Sequence, residues 1–271
     1  MNQHKVAIVT GASTGIGRAV ALRYAAERFN VTLVALPGED LDAVQKELEA
    51  IAGIEIIVCP GDLSDMVFTQ SVIDITTEKW NRIDVLVNNA AWRTIETMRT
   101  MNIETWKQTL SICLTAPAFL AKWTAELMEK LAIGGTIINV SSVMAGRAGG
   151  NSPAYIAAKG AIESLTYELA VTYGRSSIRV VCVQPGNVDT KMSKDYVDQA
   201  GDNISADLVE HLNDLTPLAR AGSPVEIAEA IYWLSTDNAS FITGTTLMID
   251  GGLSHNFNGY TIKKHQFPDQ Y

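Results

Sequence analysis

Seven short runs of apolar and β-branched residues recur along the chain, and they restrict its fold more than any other feature. KVAIVT (5–10), VTLVAL (31–36), IEIIVC (54–59), IDVLVN (83–88), GTIINV (135–140), IRVVCV (178–183) and TLMID (246–250) each have the length of a strand. Most are apolar nearly throughout, as parallel strands covered on both faces are. Between them, stretches such as GRAVALRYAAERF and DLDAVQKELEAIA carry apolar residues at helical spacing with charges opposite. Seven strands alternating with six or so helices build right-handed βαβ units. The expected fold is therefore α/β, a single doubly wound domain with a seven-stranded parallel sheet flanked by helices.

The chain has 271 residues, 47% of them hydrophobic, enough for one large core without crosslinks. A catalytic domain is expected over 1–252. Within it the polar stretch 191–216 breaks the strand–helix rhythm, and so long a connection reads as a lid. Residues 253–271 show no clear period and read as a C-terminal tail.

A net charge of −9, with no basic block, argues against nucleic acid and anionic membrane surfaces as partners. Cys59, Cys113 and Cys182 sit in apolar runs without a CxxC pair, as buried thiols do. His4, His211, His255 and His265 are scattered, so no metal site is expected. Near the N-terminus, the apolar run Val6–Val9 is too short for a signal peptide or a membrane span. The expected location is cytoplasmic.

Two motifs carry chemistry. The first strand runs into TGASTGIG, with Gly11, Gly15 and Gly17 spaced G-x-x-x-G-x-G ahead of a helix. Glycines there permit a tight turn and close approach to a pyrophosphate, which the free amides and dipole of the helix N-terminus attract. Between a first strand and first helix this pattern indicates a dinucleotide site. The second motif is PAYIAAKGAI (153–162), where Tyr155 and Lys159 lie one helical turn apart. Tyr260 and Lys264 share that spacing in the tail, so spacing alone decides nothing.

Together these residues are similar to the short-chain dehydrogenase/reductase family over nearly the whole length. The matching segments are TGASTGIG (10–17), GDLSD (61–65), NNAA (88–91), NVSS (139–142), Tyr155 with Lys159, PGNVDT (185–190) and ITGTTLMIDGG (242–252). The resemblance implies a Rossmann-type, NAD(P)-dependent oxidoreductase acting on CH–OH groups, with Ser142, Tyr155 and Lys159 as the catalytic group. Ser142 is preferred to Ser141 because the family's serine stands thirteen residues before its tyrosine, as 155 − 142 = 13 does here. A free phenol with a pKa of about 10 is a poor base near neutrality, and a neighbouring ammonium favours the phenolate. The resemblance also implies cofactor contacts at Gly11, Thr14, Gly15, Ile16, Gly17, Asp62, Leu63, Asn89, Ala90, Tyr155, Lys159, Pro185, Gly186, Val188 and Thr190. Asp62 is expected at the adenine and Thr190 near the nicotinamide carboxamide. The Tyr260/Lys264 pair lacks a matching serine or strand and is set aside.

This chain departs from the family in two places. Cys113, in ICLTAPAF, replaces the usual asparagine that holds a kink and a proton-relaying water, so a slower relay is expected. At the end of the second strand, Ala35 and Leu36 replace the acid of NAD users and the arginine of NADP users. Thr14 occupies the glycine-loop position where NADP users also carry arginine. Arg18 is near enough to consider for a phosphate, but Glu39 and Asp40 disfavour a second anion. NAD is favoured and NADP is the alternative.

Substrate contacts are expected, by analogy of position, from Trp92, Arg93, Met144, Arg147, Asn151, Asn187, Met192 and Tyr196. Donors mixed with large apolar faces suit a small polyhydroxylated or carboxylate-bearing alcohol or ketone, first of all a sugar or polyol. The alternatives are a 3-oxoacyl-type carbonyl reductase and a non-catalytic dinucleotide-binding regulator. The family resemblance further implies a homotetramer, with the tail at a subunit interface.

Overall fold

β1 (Val6–Thr10) is buried along its whole length, and its neighbours show why. In the computed structural model, which describes residues 4–198 and 200–271, β1 pairs in parallel with β2 (Asn30–Ala35) and β4 (Val85–Asn88). β3 (Ile56–Pro60), β5 (Gly135–Val140), β6 (Ile178–Pro185) and β7 (Thr245–Ile249) complete a seven-stranded sheet in the order β3-β2-β1-β4-β5-β6-β7. Every pairing is parallel. This is the sheet expected from the sequence. Residues 1–3, at the start of the expected catalytic domain, and Gln199, within the 191–216 stretch, lie outside the described residues.

Alternate residues of each central strand enter opposite layers, as the two-residue period of a strand requires. Ala7, Val9, Val31, Leu33, Val85 and Val87 pack with α1 (Gly15–Ala26), α2 (Glu39–Glu49) and α8 (Pro224–Ser235). Ile8, Val34, Leu86 and Ile137 face α3 (Met66–Trp80), α5 (Ala116–Leu131) and α6 (Pro153–Tyr173). Burying one such side chain is worth about 1.5–3 kcal/mol, so apolar residues on both faces of a strand stabilise a three-layer fold.

The strand order reverses beside β1, and there the connections to α1 and onward from β4 leave on opposite faces. A crevice therefore opens beyond the carboxyl ends of these strands. Glycine loop, NNAA segment, Ser142 and PGNVDT all start at such strand ends.

More helix forms than the sequence rhythm indicated. α4 (Ile103–Leu110) leads into a π-helical turn, Ser111–Thr115, before α5. The 191–216 stretch is built rather than irregular, with a 3-10 turn at Lys191–Lys194 and a helix α7 (Ser205–Leu215). The tail, read as without period, contains α9 (Tyr260–Gln266). It is tied to α7 of its own chain. Asp214 accepts from Thr261 N at 2.8 Å and Thr261 Oγ1 at 2.7 Å, and Asn256 Nδ2 donates to Leu215 O at 2.6 Å.

Candidate active site

The glycine loop has the features of a phosphate cradle. Gly11 and Gly15 adopt positive φ, +65° and +54°, and a Cβ on Gly11 would come within 2.8 Å of Ala90 Cα. Thr14 caps α1 without a side-chain hydrogen bond, and no acidic residue stands in the first turn. The first amides of the helix thus stay available to an anion. Gly17 differs from the other two. It lies beneath the loop, where a Cβ would sit 2.1 Å from Gly11 O, and its part is to let α1 pack against the turn.

β4 locks this loop in place. Thr10 Oγ1 accepts from Asn89 N and Ala90 N at 3.0 Å each, while Asn89 Nδ2 donates to Thr10 O at 2.9 Å. One layer down, Asn88 Nδ2 donates to Asn139 Oδ1 at 2.9 Å, and Asn139 Nδ2 donates to Thr166 Oγ1 at 2.9 Å. This buried amide chain holds β4, β5 and α6 in fixed relation.

A cavity of about 660 Å³ opens above these strand ends. Ser142, Tyr155 and Lys159 line it together with the expected cofactor residues, Gly17 excepted. The substrate candidates Trp92, Arg93, Met144, Arg147, Asn151, Asn187, Met192 and Tyr196 line it as well. Tyr155 is 7% exposed and Lys159 3%. Lys159 Nζ lies 5.4 Å from the Tyr155 ring centroid and donates to Val140 O at 2.6 Å. One of its three N–H donors is thereby used, and two remain.

The two adjacent serines have different surroundings. Ser141 Oγ donates to Glu163 Oε1 at 2.6 Å and to Lys159 O at 3.0 Å. Ser142 Oγ accepts from Met144 N at 3.2 Å, which leaves its proton for another acceptor. Glu163 also accepts from Gln184 Nε2 at 2.8 Å. Its carboxylate therefore ties the ends of β5 and β6 to α6, one turn beyond Lys159.

Cys113 lies inside the π-helical turn and is 1% exposed. The π-helical turn forms with cysteine at the position where the family resemblance implies asparagine.

Beyond the ends of β2 and β3, Ala35, Leu36, Gly61 and Asp62 line the cavity. Arg18 is outside the lining and pairs with Glu47. Lys191, from the 3-10 turn, reaches Asp40 at the start of α2 with Nζ–Oδ2 2.6 Å.

Sequence reasoning missed one wall of the cavity. Leu208, Val209, Leu212 and Leu215 of α7 line it. Their spacing of one, three and three residues is an apolar stripe on a helix, a signal hidden inside a segment read only for its polarity. Tyr196, beside them, has its phenol pushed up by burial, which the guanidinium of Arg93 opposes.

These features define a class of protein: an α/β oxidoreductase whose glycine loop and helix N-terminus fit the diphosphate of a nicotinamide dinucleotide. The sequence profile described as enoyl-(acyl carrier protein) reductase matches residues 11–254. Cis-4-hydroxycyclohexanecarboxylate dehydrogenase of Sinomonas cyclohexanicum is 35% identical over 249 residues, covering 92% of this chain and 96% of that one. L-rhamnose 1-dehydrogenase (NAD(P)(+)) of a Sphingomonas species is 31% identical over 253 residues, covering 93% and 97%. The crystal structure of acetoin dehydrogenase from Salmonella typhimurium superposes with a TM-score of 0.82 at 30% identity, covering 94% of this chain and 98% of that one. The chain belongs to the short-chain dehydrogenase/reductase family and is an NAD(P)-dependent enzyme acting on alcohol and carbonyl groups. Among the described residues no helix is long and apolar enough to cross a membrane.

Proposed function

We propose that the protein interconverts a small polar secondary alcohol and its ketone, with Tyr155 as the proton-transferring residue. The observation that carries this is that Ser142, Tyr155, Lys159 and the glycine loop line one cavity, with Lys159 Nζ 5.4 Å from the Tyr155 ring centroid. When bound, the nicotinamide supplies the hydride acceptor for oxidation and the donor for reduction. Tyr155 Oη takes the proton of the substrate hydroxyl in oxidation and returns it in reduction. Ser142, its hydroxyl proton free, donates to the substrate oxygen and stabilises charge developing there. Lys159, anchored on Val140 O, keeps an ammonium beside the phenol and directs its remaining N–H groups toward the ribose hydroxyls.

Sugars, polyols and hydroxy acids are the favoured substrates. The relatives named above act on a rhamnose and a hydroxycyclohexanecarboxylate, and the cavity combines arginines with the apolar face of α7. NAD is the favoured cofactor, because Arg18 and Lys191 near the adenosine end are each already paired with a carboxylate. The 191–216 stretch acts as a lid over both sites. Exposed Phe119 on α5 with Tyr167 and Val171 on α6 support a homotetramer, and the buried free thiols suit a cytoplasmic setting.

The test is nicotinamide reduction by the purified protein on sugars, polyols and hydroxy acids, with NAD and NADP in parallel. Turnover of a member of this panel, faster with NAD, is the expected result. Turnover confined to long acyl or steroid alcohols would contradict the substrate class.

A further inference from the structure

Arg93 is a cation enclosed in the cavity wall, and its hydrogen bonding is incomplete. Its side chain is 3% exposed. Nη2 donates to Met192 O and to Asp195 Oδ1, both at 2.7 Å. The guanidinium lies 4.8 Å from the centroid of the Tyr196 ring, a ring that also lines the cavity. Nη1 is buried and has no hydrogen-bond partner.

A buried donor left unmatched is costly, and a guanidinium more so because it stays charged. Its two Nη groups form a fork that matches a carboxylate with two parallel bonds. The present carboxylate partner satisfies one arm only. That partner, Asp195, is 50% exposed at its side chain and sits just beyond the 3-10 turn of the lid stretch. It is held by a monodentate contact, so a turn of its own side chain into solvent releases Nη2 while the backbone of the stretch stays in place.

We infer that Arg93 is the binding point for a carboxylate on the substrate, with Asp195 standing in that place when no substrate is there. The inference rests on the dehydrogenase reading above and narrows it. The substrate is a hydroxy acid or oxo acid whose carboxylate takes both arms of Arg93 while its hydroxyl or carbonyl oxygen meets Ser142 and Tyr155. The apolar face of α7, through Leu208 and Leu212, covers the carbon skeleton between the two ends. If Arg93 served only to tie the lid to the segment after β4, Asp195 would be its proper partner and nothing would compete with it.

The experiment measures equilibrium binding of benzoate and glutarate, against the uncharged benzamide and glutaramide, to the full chain by calorimetry in the presence of reduced cofactor. The wild type should bind at least one carboxylate, with its amide weaker by roughly 10- to 100-fold. Arg93→Gln should abolish that difference. Asp195→Asn, at an exposed position that does not threaten folding, should tighten carboxylate binding by roughly 2- to 5-fold. Equal affinity for acid and amide, no binding of either carboxylate, or a weaker carboxylate in Asp195→Asn would overturn the inference. Oxidation of neutral polyols by the same preparations reads the parent proposal separately. Polyol turnover without carboxylate selectivity removes the role of Arg93 and leaves the dehydrogenase. Selective carboxylate binding without any turnover of hydroxy acids or polyols does the reverse.

Discussion

The thiol of Cys113 clamps the backbone of Trp92 from both sides: Sγ accepts from Trp92 N and donates to Trp92 O, each at 3.4 Å. Trp92 and Arg93, after β4, line the cavity, so the π-helical turn before α5 is tied directly to the cavity wall. The bonds are weak ones, since sulfur is a poor donor and acceptor. An amide in place of the thiol makes stronger bonds and restores the polar group that the family resemblance implies for proton relay. Cys113→Asn is expected to keep or raise the turnover number, with the larger gain when proton transfer limits the rate. A lower turnover number in a variant that binds cofactor normally would count against a relay role for this position.

Glu163 is expected to position the catalytic strand ends without touching the substrate. Its carboxylate accepts from Ser141 and Gln184, and a side chain ending in methyl leaves both donors without it. Glu163→Ala should cost about 1–3 kcal/mol of stability, read as a lower urea midpoint with unchanged slope. It should also lower the turnover number more than it raises KM, because Ser142 follows Ser141 directly. Glu163→Gln, which keeps an acceptor oxygen, should recover most of both losses. Equal damage from the two variants would show that the negative charge, and not an acceptor oxygen at that place, is what the site requires.

The two thiols outside the site report on alkaline stability. Burial pushes the Cys182 thiol up to about 12, with the negative charge of Glu163 adding to it, and burial alone pushes Cys59 up to about 11. An unfolded thiol titrates at about 8.5. The folded state therefore holds these protons longer than the unfolded state does, and stability falls as pH rises through that interval. The contribution is intact below about pH 8.5 and is lost progressively toward the folded values. Urea midpoints should be level from pH 7 to 8 and fall by pH 10, and Cys182→Ala should flatten that fall. An unchanged slope with pH in Cys182→Ala would assign alkaline lability to other groups.

Much of this architecture was legible because its signals are local. A strand such as KVAIVT buried on both faces must be apolar at successive positions, and a glycine at φ +65° such as Gly11 stands where side chains are strained. What escaped was long-range or masked by composition. The stripe of Leu208, Val209, Leu212 and Leu215 is regular, but Glu210, His211, Asn213 and Asp214 between them made the segment read as polar. Tyr260 and Lys264 do share a helix, α9, which the tail's composition concealed. Gly17 matched the loop pattern, yet only the packing distance to Gly11 O separates its part from that of Gly15. The contact of Arg93 with Asp195 joins residues 102 positions apart, and no periodicity predicts such a pair.

The central claim is that Tyr155 moves the proton. The direct measurement compares turnover by the wild type and Tyr155→Phe on one alcohol that the wild type oxidises, with cofactor affinity measured on both. The variant keeps the ring, its packing and the cofactor cradle and lacks only the hydroxyl. The account predicts a loss of roughly 10²- to 10⁴-fold in turnover number with cofactor affinity within a few-fold of the wild type. Turnover within a few-fold of the wild type at normal cofactor affinity would contradict it.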